Sequence, residues 1–205
     1  MIITTVLIVG LSYLLGSVSF SYLIAKKIKK IDIRKEGSGN AGATNTLRVL
    51  GVGPAVSVLL LDVGKGILPV VSAMLITDAA LVHVLAGLAA ILGHNWPIYF
   101  GFRGGKGVAT SIGVLATLVF LPSLLAGVIA IASIFITRYV SLGSLLFAIL
   151  TPVALGILLL IPSFTYPVEY SLFTVVLALM SLWRHRTNVS RLMSGTENKI
   201  GRKHA

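Results

Sequence analysis

The stretch ITTVLIVGLSYLLGSVSFSYLIA, residues 3–25, contains no charged residue, and four lysines follow it within residues 26–30. An α-helix needs about 20 apolar residues to cross a bilayer, so this stretch is long enough to span one. The whole chain is 56% hydrophobic, its mean hydropathy is +0.98, and only 11% of its residues are charged. A soluble domain usually carries about 25% charged residues. The sequence therefore predicts an all-α integral membrane protein.

Apolar runs of this kind recur along the chain. They lie at residues 3–25, 53–76, 79–100, 108–121, 123–137, 142–161 and 168–183. The fourth and fifth runs are short, and Pro122 separates them. The first run has no basic n-region and no small-residue cleavage site, so we expect it to be a retained span and not a signal peptide.

The basic residues indicate the orientation of these runs. If all seven runs cross, every basic residue except Lys65 falls on one side, which the positive-inside rule makes cytoplasmic. Merging the two short runs would put the C-terminal basic cluster outside. We therefore predict one domain, residues 1–205, built as a compact bundle of seven transmembrane helices, two of them short. Its N-terminus would lie outside and its C-terminus in the cytoplasm.

Charge and composition also exclude several classes of partner. The net charge of +11 follows the membrane topology, so no nucleic acid partner is expected. There is no cysteine, which excludes disulfides and thiolate metal sites. The four histidines lie far apart without ligand spacing, so we expect no metal and no cofactor.

Lys65 lies inside the second run, in LLLDVGKGIL (residues 59–68), three residues after Asp62. Residues three apart share a helix face, so the two side chains can neutralise each other. Charges inside a membrane are often functional, which keeps direct substrate contact open as an alternative. We favour a supporting ion pair that packs helices together.

Three polar segments interrupt the apolar pattern, and the predicted topology places all of them at the cytoplasmic surface. They are GSGNAGATNTLR (37–48), GFRGGKGVAT (101–110) and RHRTNVSRLMSGTENKIG (184–201). Each adjoins a predicted membrane helix. We expect the three segments to form a single site.

The second segment combines glycines with Lys106 just before a predicted helix. Glycines let backbone N–H groups approach an anion, and the helix N-terminus and the lysine add positive charge. The segment is not a Walker A loop, because position 100 is Phe and position 107 is Gly in place of the Mg²⁺-binding hydroxyl. The pattern favours phosphate binding without nucleotide hydrolysis, and a flexible loop with a topogenic lysine is the alternative.

The first and third segments carry hydrogen-bonding side chains and arginines. Ser38 can donate to an oxyanion, whereas a nucleophilic role would require an adjacent base that spacing alone does not reveal. Arg48 can bind a phosphate through two N–H groups. His185 could act as a base, donate a hydrogen bond to a phosphate, or cap the final helix. Glu197 is expected to pair with a nearby arginine and hold the tail in place.

In this order, EGSGNAGATNTLR, GFRGGKGVAT and RHRTNVSRLMSGTEN resemble the three signature motifs of the bacterial acyl-phosphate:glycerol-3-phosphate acyltransferases. The resemblance covers essentially the whole chain. It implies transfer of a fatty acyl group from acyl phosphate to the sn-1 hydroxyl of glycerol 3-phosphate, giving lysophosphatidic acid and phosphate. The enzyme would be a multi-pass protein of the bacterial inner membrane, with its site facing the cytoplasm. Acyl-CoA is not an expected donor, and no obligate protein partner is inferred.

The resemblance also implies roles for individual residues. The expected catalytic residues are Ser38, Arg48, Lys106, His185 and Asn188. The expected substrate-binding residues are Gly39, Asn40, Thr44, Asn45, Gly104, Gly105 and Gly107. Because acyl phosphate is already activated, we expect direct attack by the substrate hydroxyl, with the proton passing to a substrate phosphate in preference to His185.

Three other functions fit the sequence less well. A phosphate transporter would place its site near the bilayer midplane between repeats, whereas these loops cluster at one predicted surface and no repeat is visible. A CDP-alcohol phosphotransferase needs an aspartate-rich metal motif, but the aspartates here are scattered at Asp32, Asp62 and Asp78. A membrane scaffold would have no use for three polar segments on one side.

Overall fold

The computed structural model describes residues 2–201, and every regular element within them is a helix. The α-helices are α1 Ile2–Gly16, α2 Phe20–Lys29, α3 Ala43–Leu50, α4 Val52–Ile76, α5 Ala80–Asn95, α6 Val108–Leu118, α7 Phe120–Thr137, α8 Val140–Leu158, α9 Val168–Arg184 and α10 Arg186–Met193. Two short 3₁₀ helices lie at Ile33–Lys35 and Ile98–Phe100. The prediction of an all-α integral membrane protein is confirmed.

Among residues 2–201, five helical segments are long and apolar enough to cross a membrane. They are Ile2–Lys29, Val52–Ile76, Ala80–Phe100, Phe120–Thr137 and Val140–Leu158. α6 has 11 residues and α9 has 17, so both are shorter. Seven crossings and the orientation of the termini stay predictions.

Hydropathy suggested that the first apolar run is one continuous helix, but the structure divides it into α1 and α2. α1 ends at Gly16, which packs so closely on Ala90 of α5 that a Cβ would overlap its backbone. The Ser17 hydroxyl then donates to the Tyr13 carbonyl oxygen at 2.8 Å, and α2 begins at Phe20. The broken helix exposes the carbonyl of Val18, which accepts a hydrogen bond from Lys65 Nζ at 2.7 Å. A membrane protein must satisfy such backbone groups internally, and Lys65 does so here.

Pro122 does not separate the helices of the fourth and fifth apolar runs, which are α6 and α7. The break falls at Val119, and Pro122 is the third residue of α7. A proline is tolerated in the first helical turn, because an N–H there has no partner within the helix. α7 consequently has 18 residues and is not short, whereas α6 with 11 residues is short as expected.

The chain divides into two compact units, Met1–Leu118 and Val119–Ala205. The expected single domain, 1–205, stays a prediction. In the first unit, α1 packs on α5, and α4 packs on both α5 and α6. Gly66 and Gly113 lie where α4 meets α6, and a Cβ at either would overlap the backbone of the other helix. Small residues at such contacts let membrane helices approach closely.

In the second unit, α8 packs between α7 and α9. Phe147 and Leu155 of α8 and Phe173 and Leu177 of α9 are buried in its core. The tail after α10 is fastened to the start of α8: the N–H of Ile200 donates to the Arg138 carbonyl oxygen at 2.8 Å, and Lys199 Nζ lies 5.2 Å from the centre of the Tyr139 ring.

Candidate active site

The first polar segment forms a loop that is held from inside by Asn45. Asn45 Oδ1 accepts the N–H of Ser38 at 2.9 Å, while Asn45 Nδ2 donates to the carbonyls of Ile33 and Glu36 at 3.1 and 2.9 Å. Gly37 and Gly39 adopt φ of +57° and +72°, the left-handed region that favours glycine. Ser38 is exposed although its backbone is fixed. The structure therefore assigns Asn45 a positioning role, and its expected contact with substrate stays a prediction.

The same loop leads into the N-terminus of α3. Gly42 is the N-cap and has no side chain to accept from the N–H groups of the first turn. Helix N-termini of this kind bind anions. Thr44 lies in that first turn, and Arg48, four residues later, shares its face of the helix. Asn40 is half-buried before the helix and Arg48 is exposed.

Within the second segment, the glycine loop Gly104–Gly107 lies against the C-terminal end of α5 and leads into α6. The N–H of Gly105 donates to the His94 carbonyl oxygen at 3.2 Å. A Cβ at Gly104 would overlap that carbonyl, and one at Gly107, whose φ is +83°, would lie 2.8 Å from Asn95 Oδ1. Close packing therefore requires these glycines, whether or not their N–H groups also bind an anion. Lys106 is half-buried between them, and α6 begins at Val108 as expected.

The two loops touch within the first unit. A Cβ at Gly105 would lie 2.5 Å from the carbonyl oxygen of Ala41, in the middle of the first loop. Arg34 adds a second connection, because its Nη1 donates to the Phe100 carbonyl oxygen at 2.7 Å while Nε and Nη2 bind the Asp32 carboxylate at 2.9 and 2.8 Å. The hydrogen bond from Arg34 holds the pKa of Asp32 below its ordinary value. Two elements with the features of phosphate sites are thus neighbours.

In the second unit, His185 joins α9 to α10 and is only 2% exposed. Its Nδ1 lies 2.9 Å from the Ser181 carbonyl oxygen. A carbonyl only accepts, so Nδ1 carries a hydrogen and, in the neutral ring, Nε2 carries the lone pair. His185 therefore lies at the junction of two helices, and its Nε2 can accept a hydrogen bond or a proton.

Glu197 returns to α10 after a tight turn and binds two of its side chains. Gly195, at φ +71°, permits the reversal. Asn188 Nδ2 donates to Glu197 Oε1 at 2.9 Å, and Arg191 Nε donates to Oε2 at 2.8 Å. Burial raises the pKa of Glu197, but the hydrogen bonds from Arg191 and Asn188 outweigh it, and the net pKa is lowered. The expected pairing of Glu197 with a local arginine is confirmed.

The Asp62–Lys65 pair, expected from its spacing, has a neighbour that the sequence did not indicate. Lys65 Nζ lies 2.8 Å from Asp62 Oδ1, as expected from their spacing. His94 Nδ1 lies 3.6 Å from the same oxygen. The sequence patterns did not indicate roles for His94, Asn95 or Arg34. For His94 and Asn95 the available signal was a polar pair that ends an apolar run just before the glycine loop. Among residues 2–201, no group of three or more histidine or acidic side chains is placed to hold a metal ion.

Comparison with known proteins places these loops in a family. The family model described as "Glycerol-3-phosphate acyltransferase" matches residues 6–195. A glycerol-3-phosphate acyltransferase of Shouchella clausii is 70% identical over all of both chains. One of Halalkalibacterium halodurans is 66% identical over 96% of this chain and 95% of its own.

The chain belongs to the glycerol-3-phosphate acyltransferase family. This confirms the family resemblance drawn from the three motifs. Two crystal structures of PlsY (YgiH), an integral membrane glycerol 3-phosphate acyltransferase, also resemble this member of the family. Its glycerol 3-phosphate form is 37% identical with a TM-score of 0.87, and its lysophosphatidic acid form is 36% identical with a TM-score of 0.85. Each comparison covers 97% of this chain and 96% of the other.

Proposed function

We propose that this family member transfers a fatty acyl group from acyl phosphate to the sn-1 hydroxyl of glycerol 3-phosphate, releasing lysophosphatidic acid and inorganic phosphate. Family membership supports the acceptor and the class of reaction. The donor and the position of the new ester are our proposal. The substrates would bind at Ser38, Arg48 and Lys106, with the loop residues expected above around them.

The observation that carries this proposal is the contact between the two loops at Gly105 and Ala41. Each loop leads into a helix N-terminus, and each has a cationic side chain in its segment, Arg48 or Lys106. In acyl phosphate the phosphate is bonded to the reacting carbonyl carbon, so it must come close to the acceptor. An acyl-CoA carries its phosphates at the far end of a long arm. Two adjacent phosphate sites therefore favour acyl phosphate.

The reaction follows from the chemistry of a mixed anhydride. The acceptor oxygen forms a bond to the carbonyl carbon, and the bond from that carbon to the bridging phosphate oxygen breaks. The phosphate leaves with the electron pair and takes the hydroxyl proton. Lys106 and Arg48 would neutralise the phosphates, and Ser38, fixed by Asn45, would donate to the carbonyl oxygen as it becomes negative.

A covalent Ser38 intermediate is the alternative to direct attack. Mixing the protein with acyl phosphate in the absence of glycerol 3-phosphate, followed by mass spectrometry of the intact chain, decides between them. Direct attack predicts no acylated chain on the timescale of turnover. An acyl group on Ser38 would show that the serine is the nucleophile.

The family resemblance also implies catalytic roles for His185 and Asn188. In our proposal His185 accepts a hydrogen bond from the attacking hydroxyl through Nε2 and orients it, while the phosphate takes the proton. A general base contributes about 10²–10⁴-fold to the rate. If His185 only orients the hydroxyl, the activity of His185→Gln should fall by less than about 10²-fold. A loss above about 10²-fold, together with loss of the ascending limb of the pH–rate profile, would make His185 the base.

We place the site at the cytoplasmic face of the bacterial inner membrane, because the positive-inside rule puts the basic loops there. The chain has no cysteine, so single cysteines can report the orientation. Lys27→Cys should react with an impermeant maleimide only after the cells are opened, and Asp78→Cys should react in intact spheroplasts. The reverse pattern would contradict the orientation.

The donor is tested with purified protein and labelled glycerol 3-phosphate. Palmitoyl phosphate and palmitoyl-CoA are offered in parallel without added metal. We expect labelled lysophosphatidic acid from palmitoyl phosphate alone. Product from the CoA ester alone would overturn the donor, and product acylated at sn-2 would overturn the position.

A further inference from the structure

A cluster of three buried ionisable side chains lies next to the second glycine loop. Asp62 and Lys65 belong to α4, and His94 belongs to the last turn of α5. Their exposed fractions are 1%, 3% and 7%. Lys65 Nζ lies 2.8 Å from Asp62 Oδ1, and His94 Nδ1 lies 3.6 Å from the same oxygen. The reaction proposed above uses none of the three.

The ion pair accounts for only part of this arrangement. Lys65 neutralises Asp62 and also donates to the Val18 carbonyl oxygen in the break between α1 and α2. Neither contact involves His94. Burying an additional ionisable ring beside a carboxylate requires a further explanation, since such groups are expensive to remove from water.

His94 supplies that explanation, because it contacts the loop with both its backbone and its ring. Its carbonyl oxygen accepts the N–H of Gly105 at 3.2 Å. The ring edge opposite the carboxylate lies against Gly105: a Cβ there would overlap His94 Nε2 and lie 3.1 Å from Cε1. The imidazole thus bridges Asp62 on one edge and the glycine loop on the other.

The contacted glycine precedes Lys106 directly. The position of Gly105 also determines the contact with Ala41 in the first loop. A rotation of the His94 ring would therefore move the lysine and the junction of both loops together.

We propose that the Asp62–Lys65–His94 cluster positions the glycine loop Gly104–Gly107, with His94 as the positioning residue that holds Lys106 in place for the substrate phosphate. This inference rests on the proposed function for its substrate, although the placement of the loop can be measured without it. The cluster touches no reacting atom, so its members are positioning residues and not catalytic ones.

The variant His94→Ala tests the proposal, with His83→Ala as a matched control. His83 is also buried, lies on the same helix α5, and has Nε2 2.7 Å from the Thr77 carbonyl oxygen at the opposite end of that helix. Both variants remove a buried imidazole and should lower the thermal midpoint. Only His94→Ala should lower kcat/KM per folded molecule, by roughly 10- to 100-fold, because small misplacements of binding groups have effects of this size.

We expect the loss in His94→Ala to lie mainly in KM for a phosphate substrate, with partial rescue in His94→Gln, whose amide reaches toward the position of Nε2. In a Lys106→Ala background, His94→Ala should add less than about threefold, because residues that act through one another are not additive. Equal kinetic losses in His94→Ala and His83→Ala, or full additivity with Lys106→Ala, would overturn the proposal.

Hydrogen exchange of residues 101–108 gives a measurement that needs no turnover. It should be faster in His94→Ala than in His83→Ala and unchanged between His83→Ala and the parent chain. If neither donor supports turnover, the function proposed above fails and this comparison still decides the role of His94. Equal exchange of the loop in both histidine variants would show that the cluster only packs helices.

Discussion

The glycine loops of the first unit and the tail of the second unit are held by different physical means. Within the loops themselves the direct contacts are between neutral groups: the Asn45 amide binds backbone at three points, and Gly105 packs between the His94 ring and the Ala41 carbonyl. In the tail, one carboxylate, Glu197, binds both Asn188 and Arg191. Steric fit therefore dominates in the loops, whereas the tail depends on the hydrogen bonds of one buried carboxylate.

This difference predicts which changes each region tolerates. The largest effect should come from Gly105→Ala, since the added methyl overlaps His94 Nε2 and the neighbouring loop. We expect kcat/KM to fall by about 10²-fold or more, because both loops must shift. The matched control is Gly64→Ala in α4, where a Cβ meets nothing within 4 Å. Similar activity in the two variants would show that the loops can accommodate the added methyl without moving the site.

Asn45 should come next. Asn45→Ala removes the partners of the Ser38 N–H and of the Ile33 and Glu36 carbonyls. Each buried group left without a partner costs about 1–3 kcal/mol, although water will reach some of them. Asn45→Asp keeps an acceptor for the Ser38 N–H but loses both donors. We therefore expect activity in the order parent, Asn45→Asp, Asn45→Ala, and a reversed order of the two variants would contradict this account of the loop.

A smaller effect is expected for Glu197→Gln. The amide keeps an oxygen for Asn188 Nδ2 and loses the charge that binds Arg191, whose side chain is 41% exposed. Exposed ion pairs contribute about 0–1 kcal/mol, so activity should fall only a few-fold. Glu197→Ala should lose more, because it also releases Asn188. Equal activity in the two variants would mean that the charge, and not the contact with Asn188, holds the tail.

The smallest effect should be the response of this pairing to pH. The folded pKa of Glu197 lies below its ordinary value of 4.5. Its stabilisation is therefore complete above about pH 4.5 and is lost as the pH falls through the folded value. Between pH 6 and 8, the difference in unfolding midpoint between the parent and Glu197→Gln should stay constant. A difference that changes across that range would require another titrating group in the tail.

Much of the molecule was predictable from local sequence. The apolar runs indicated an all-helical membrane protein, the spacing of Asp62 and Lys65 indicated an ion pair, and the lone acid of the tail indicated a partner for an arginine. Each inference depends on residues that are close in sequence or on composition alone. The expected catalytic and substrate-binding residues stay predictions.

Most of the missed features involve partners outside the local sequence. The break at residues 17–19 depends on Gly16 meeting Ala90, and its exposed carbonyl depends on Lys65. Pro122 looked like a helix boundary because hydropathy does not reveal that it lies in the first turn of α7. The positioning role of Asn45 was not evident from the sequence, because its three backbone partners lie 7 to 12 residues away across a loop.

The sequence by itself determined the membrane class, the family and the three polar segments, because hydrophobicity, charge and glycine spacing are local properties of the chain. Only the tertiary structure decided that Gly105 contacts both His94 and Ala41, and that His94 joins the glycine loop to the Asp62–Lys65 pair. Those contacts arise where α4, α5 and two loops pack together. Their close fit depends on distances between segments, which no local pattern encodes.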